Sequence, residues 1–126
     1  MYLRFLMFVL IFMVSACGAT TPTGGSEPSA DLMQIDSVDV QVAESAPAQV
    51  TAHIQGTLMD GCTSLSNISQ ERTDNTINIV LTAEHSDDEA CIMVAPMIDE
   101  TIVLDGDFPP GEYTVRVGDT EQTFTV

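Results

Sequence analysis

The chain has 126 residues, with 19 acidic side chains against three Arg and no Lys, and a formal charge of −16. Such a shortage of cations excludes nucleic acid as a partner, because phosphate binding rests on Lys and Arg, and it opposes adsorption to anionic lipid. The length allows one small domain behind an atypical N-terminus, not two.

That N-terminus comes first. Arg4 precedes an unbroken apolar run from Phe5 to Val14, and small residues follow, Val14-Ser15-Ala16-Cys17. A basic start, a short apolar core and a small-residue cleavage region form the pattern of a secretory signal peptide, expected over residues 1–16. A membrane-spanning helix needs about 20 apolar residues, and Thr20 to Pro28 is polar and helix-breaking, so the run cannot be extended to that length. Val14-Ser15-Ala16-Cys17 also resembles the lipobox of bacterial lipoproteins. The resemblance implies cleavage before Cys17, a diacylglycerol on its thiol and usually an acyl chain such as palmitate on the new amino group. The mature chain is then expected to be anchored by lipid outside the cytoplasm, at the cell membrane or outer membrane, and two or three chains make a stable anchor. Loss of Arg4 leaves two arginines, Arg72 and Arg116, against the 19 carboxylates, a mature charge of −17. Residues 17–31 continue as GATTPTGGSEPSAD after Cys17. With so little apolar surface, this stretch reads as a flexible linker, on the order of 20 Å in mean span.

Residues 32–126 alternate in period two. Val38, Val40 and Val42 form one run; Val50, Ala52, Ile54 and Leu58 a second; Ile77, Ile79, Leu81 and Ala83 a third. Shorter runs hold Ile102 and Leu104, then Tyr113, Val115 and Val117, then Phe124 and Val126. Alternation with β-branched enrichment predicts half-buried antiparallel strands. Asp60-Gly61, Asp74-Asn75, Asp105-Gly106, Pro109-Pro110-Gly111 and Gly118-Asp119 punctuate them with turn chemistry. Gly118-Asp119 suits a tight hairpin, and Leu65 and Ile68 break the alternation in the manner of a bulge. About seven strands at this spacing predict an all-β fold, a β-sandwich more than a closed barrel.

A domain this small buries only about 60–65% of its unfolded surface, so a covalent staple helps. In an oxidising compartment Cys62 and Cys91 have one possible pairing, a disulfide, once Cys17 is lipidated. A zinc site of Cys62, Cys91, His53 and His85 is the alternative, but neither C-x-x-C nor H-x₃-H spacing supports it.

Gly111-Glu112-Tyr113-Thr114-Val115-Arg116-Val117, followed by a turn and a last strand, resembles the end of immunoglobulin-like and fibronectin-like domains. The resemblance implies an immunoglobulin-like antiparallel β-sandwich in which Gly111 and Tyr113 form a tyrosine corner. There is no Trp, and Val115 occupies the place of an antibody domain's second Cys. Gly61-Cys62, Cys91 and the terminal hairpin also resemble small bacterial lipoproteins of unassigned function.

No metal ligand set stands out. Asp87-Asp88-Glu89, Asp99-Glu100 and Asp105-Gly106-Asp107 fall where loops are expected, which makes Asp105 and Asp107 the first calcium candidates if such loops converge. Nucleophile elbows, phosphate loops and H-E-x-x-H are absent. His53 is expected to point outward from a strand, and His85 to lie solvated beside an acidic loop. The sequence thus predicts no enzyme and no cofactor beyond the lipid on Cys17. It predicts a lipid-anchored binding or assembly module for another envelope or extracellular protein. A calcium-dependent adhesion or ligand-binding domain and an envelope enzyme inhibitor are the alternatives.

Overall fold

The two segments with the strictest alternation form the interior of the two sheets. Val50, Ala52, Ile54 and Leu58 in one, and Ile77, Ile79, Leu81 and Ala83 in the other, are all buried. A computed structural model describes residues 31–87 and 90–126. The expected signal segment, the expected lipobox ending at Cys17, the expected linker as far as Ala30 and the acidic pair Asp88-Glu89 lie outside the described residues.

Seven strands run in chain order as β1 (Met33–Ala43), β2 (Gln49–Leu58), β3 (Thr63–Thr73), β4 (Thr76–His85), β5 (Met97–Val103), β6 (Glu112–Val117) and β7 (Thr120–Thr125). They make a three-stranded sheet, β1-β2-β5, and a four-stranded sheet, β3-β4-β6-β7, so the domain is an all-β sandwich. The inward faces of both sheets supply its core, completed by Ile98, Leu104, Phe108, Tyr113, Val115, Val117 and Phe124.

One pairing departs from the antiparallel expectation. β4 and β6 run parallel, with Thr76–Ile79 against Thr114–Val117. Parallel neighbours need a long crossover, and here the chain leaves β4, forms β5 in the opposite sheet and only then returns as β6. The β6–β7 hairpin turns on Gly118-Asp119, with Gly118 at φ +57, where a glycine adopts a positive φ without Cβ strain.

Two bulges set the register. In β3, Leu65 faces Ala83 and Asn67 faces Thr82, so Ser66 is the extra residue and its hydroxyl donates to the Thr82 carbonyl (3.1 Å). In β1, Asp36 is the extra residue between Ile35 and Ser37. Opposite it the backbones approach closely, and a Cβ on Gly56 would lie 2.5 Å from the Gln34 carbonyl oxygen.

The registers give the sandwich two distinct ends. The starts of β1, β3 and β5 meet the ends of β2 and β4 at one end, which carries Asp31, Cys62 and His85. The other end holds the Asp74-Asn75 turn and residues 104–111. There, Tyr113 stacks on Phe124 at 5.4 Å, Phe108 meets Tyr113 edge-on at 5.3 Å, and the Arg72 guanidinium lies 4.7 Å from the Phe108 ring centre. The Tyr113 hydroxyl donates to the Pro109 carbonyl (2.8 Å), while Gly111 and Val126 exchange backbone hydrogen bonds. Gln70 closes the gap between the sheets at this end. Its amide donates to the Val103 carbonyl (2.8 Å) and accepts from the Asp105 N–H (3.0 Å).

Candidate functional site

Three polar groups found by sequence separate in space. The first is the acidic loop 105–107. Its Gly106 has φ +100, and the Asp107 carbonyl accepts from Arg72 Nη1 at 2.8 Å, so a cationic side chain already occupies the inside of the turn. The second is Asp99-Glu100, which lies within β5 rather than in a loop. Asp87 lies at the opposite end of the sandwich from Asp105 and Asp107. The described members of the three acidic segments therefore do not converge on one point.

The third group is histidine. His53 projects from the outer face of β2, where Nε2 donates to Asp99 Oδ1 at 2.6 Å and Gln55 donates to the other carboxylate oxygen at 3.4 Å. This corrects the zinc alternative, since His53 is engaged on the sheet face and does not join the cysteines. These hydrogen bonds, His53 foremost, hold the Asp99 carboxyl below its usual range.

His85 belongs instead to the disulfide end. The β3–β4 register sets Thr63 opposite His85, which brings the Asp60–Cys62 turn beside it. His85 Nε2 lies 3.2 Å from Asp60 Oδ2. Asp60 Oδ1 accepts from the Thr63 hydroxyl (2.9 Å) and from the Cys62 N–H (3.0 Å). Thr63, Cys62 and His85 together lower the Asp60 pKa, with the Thr63 hydrogen bond the largest cause. Cys62 and Cys91 form the expected disulfide, with Cα atoms 5.2 Å apart. Backbone bonds flank it: Gly61 N–H donates to the Ile92 carbonyl (3.0 Å) and Ser86 N–H to the Cys62 carbonyl (2.9 Å). A Cβ on Gly61 would fall onto the Ile92 side chain and 2.9 Å from its carbonyl oxygen, so only glycine admits this contact.

The disulfide pins a segment that leaves large apolar side chains in solvent. Ile92, Met93 and Val94 are 66%, 93% and 65% exposed, and Met59, just past the end of β2, and Met97, at the start of β5, are 58% and 78% exposed. Met97 is in register with Thr57, and Leu58 N–H donates to the Pro96 carbonyl (2.8 Å), so these residues lie on neighbouring backbone. Beside them a cleft of about 1020 Å³ opens, lined by Met33, Ile35, Leu58, Met59 and Leu81 and by the Gly118-Asp119 turn. It arises because β6 pairs with β4 only up to Ile79, whereas β4 continues to His85. Sequence reading took Met33, Met59, Met93 and Met97 for packing residues, whereas Met59, Met93 and Met97 are exposed, and it did not group Asp60 with His85. The available signal was the odd run Cys-Ile-Met-Val at 91–94, too short to read as a strand.

Asp60 and Asp99 make acid sensitivity a testable property. Both carboxyls are lowered from 3.8 in the folded state, so their contribution is full above that value and is lost as pH falls through the lowered values. At constant ionic strength, melting temperature is expected to fall below about pH 3.8, and the gap between wild type and Asp60→Asn or Asp99→Asn to close there. Parallel pH profiles for wild type and both variants would contradict this.

Together the fold and this end define a disulfide-stapled β-sandwich with one exposed apolar corner. The chain belongs to the ORF11 beta-sandwich domain family, whose model matches residues 52–126. It is 38% identical over 90 residues to the uncharacterized 10.2 kDa protein in the HgiCIIM 5' region of Herpetosiphon aurantiacus, covering 71% of this chain and 96% of that protein. The 10.2 kDa proteins in the HgiBIM and HgiEIM 5' regions of the same organism are each 37% identical over 78 residues, covering 62% of this chain and 95% of each. No solved structure matches.

Proposed function

We propose that this protein is a non-catalytic binding module, held outside the cytoplasm by lipid on Cys17, which docks another envelope or extracellular protein through its disulfide end. The observation that carries the reading is the group of exposed Met59, Ile92, Met93, Val94 and Met97. Contiguous apolar surface of this kind on a small soluble domain marks a contact site, and methionine adapts to irregular partner surfaces. Asp31, Asp60, Glu84 and Asp87 belong to the same end, so the partner surface is an apolar depression rimmed by Lys or Arg. The lipobox reading of residues 14–17 and the likeness of Gly111–Val117 to immunoglobulin-like domains support the same role.

The test is cross-linking and recovery of the full-length protein from its native envelope, beside Cys17→Ala and Met93→Asp variants. A near-stoichiometric partner is expected from wild type, and Met93→Asp is expected to reduce recovery about tenfold or more. Undiminished recovery with Met93→Asp places the contact elsewhere. An empty recovery despite confirmed lipidation rejects the binding role.

A further inference from the structure

Among the described residues, one group brings His, Cys and carboxylate donor atoms together: Asp60, His85 and Cys91, all within 4.8 Å of one another. The fourth potential donor, Cys62 Sγ, is covalently bonded to Cys91 Sγ. We propose that the reduced form of this corner is a tetrahedral site for Zn²⁺ or a similar borderline divalent cation. Its ligands are the Cys62 and Cys91 thiolates, His85 Nε2 and Asp60 Oδ2. Disulfide and metal are then alternative staples for the same two chain segments.

The geometry supports this in four ways. Bonds of about 2.0–2.3 Å in a tetrahedral site set neighbouring donors roughly 3.3–3.8 Å apart. The Asp60–His85 pair already stands at 3.2 Å. The Asp60 carboxylate is oriented in advance, because the Thr63 hydroxyl and Cys62 N–H hold Oδ1 and leave Oδ2 facing His85. The His85 and Asp60 side chains are 35% and 19% exposed, so an ion can reach them. The bonds from Gly61 to Ile92 and from Ser86 to Cys62 join neighbouring backbone beside the sulfur bridge.

The chemistry balances as follows. A phosphine reductant and water give two electrons and two protons to the S–S bond, producing two thiols and the phosphine oxide. A dithiol reductant does the same and becomes a disulfide. The cation then displaces both thiol protons, while His85 binds through Nε2 as neutral imidazole with its remaining proton on Nδ1.

The experiment uses the full chain in detergent with Cys17→Ser, which leaves Cys62 and Cys91 as its only thiols. After phosphine reduction it is titrated with Co²⁺ and then Zn²⁺. Expected are one Co²⁺ per chain, sulfur-to-metal charge transfer with the intense visible bands of tetrahedral cobalt, displacement by Zn²⁺, and two protons released per ion. The oxidised protein is expected to show none of these. His85→Ala and Asp60→Ala, each checked for native circular dichroism in the oxidised form, are expected to weaken binding about tenfold or more and to shift the bands. Equal affinity and spectra in both variants would assign the metal to a bare dithiol and overturn the proposal. Absence of tetrahedral bands, or the same binding to the urea-unfolded reduced chain, would overturn it too.

Discussion

Replacing Cys62 and Cys91 together by Ser is expected to lower the melting temperature by roughly 15–25 °C. The bridge joins residues 29 apart in sequence. In the chain-entropy account, closing a loop of that length restricts the unfolded chain by about 3–4 kcal/mol. For a domain of about a hundred residues, each kcal/mol shifts the melting point by roughly 4–8 °C. Native strain lowers the figure, and so does residual order in the unfolded chain. The loop it closes contains the whole β3–β4 hairpin. The bridge also ties down the described residues between β4 and β5, 86–87 and 90–96, which form no strand. Differential scanning calorimetry of the double Ser variant measures the effect. A fall of less than about 5 °C would mean that the backbone bonds from Gly61 and Ser86 already hold this segment. Partner binding is expected to weaken more than global stability, because the apolar side chains of residues 92–94 follow Cys91 directly.

The strands legible in the sequence are those that present one face to the core along their whole length. β2 and β4 alternate without interruption because each has neighbours on both sides and the opposite sheet across from its inner face. β3 was only half visible. It is an edge strand, so Ser64, Ser66, Asn67, Ser69 and Glu71 face solvent, and its bulge moves the inward parity from Leu65 to Ile68. β5 was read short because Glu100 sits at an inward register between Ile98 and Ile102, where alternation predicts an apolar residue. The disulfide followed from counting cysteines. The Asp60–His85 pair did not, because a 25-residue separation becomes contact only through the hairpin register, and one extra residue in β3 decides that register. The exposed apolar corner was hidden for a related reason. Sequence pattern shows which residues are apolar, while exposure depends on where β6 stops along β4.

Phe108→Ala is expected to cost about 3–5 kcal/mol, a large share of the stability of a domain this size. Phe108 is 4% exposed and lies outside any strand, yet it closes the end of the core opposite the disulfide. Its ring meets Tyr113 edge-on, approaches Phe124 at 6.0 Å between centroids and carries the Arg72 guanidinium on its outer side. Truncation leaves a cavity that these neighbours cannot fill, because Tyr113 is tied to the Pro109 carbonyl and Arg72 to the carbonyls of Asp74 and Asp107. Phe108→Leu keeps most of the volume and is expected to cost less than half as much. Urea unfolding of both variants separates lost packing from lost aromatic contact, and equal costs would assign the effect to the ring and its cation. Coupling between Phe108→Ala and Arg72→Met isolates the cation–π part, about 0.5–1 kcal/mol at a partly exposed site. Combining Phe108→Ala with the double Ser variant asks a larger question. The two sites lie at opposite ends of the sandwich, so their effects are expected to add within about 0.5 kcal/mol. Additivity would mean that the disulfide corner and the aromatic end contribute independently to the stability of the sandwich. Strong coupling would make the corner part of one cooperative core, and its partner-binding surface could then change only by unfolding the domain.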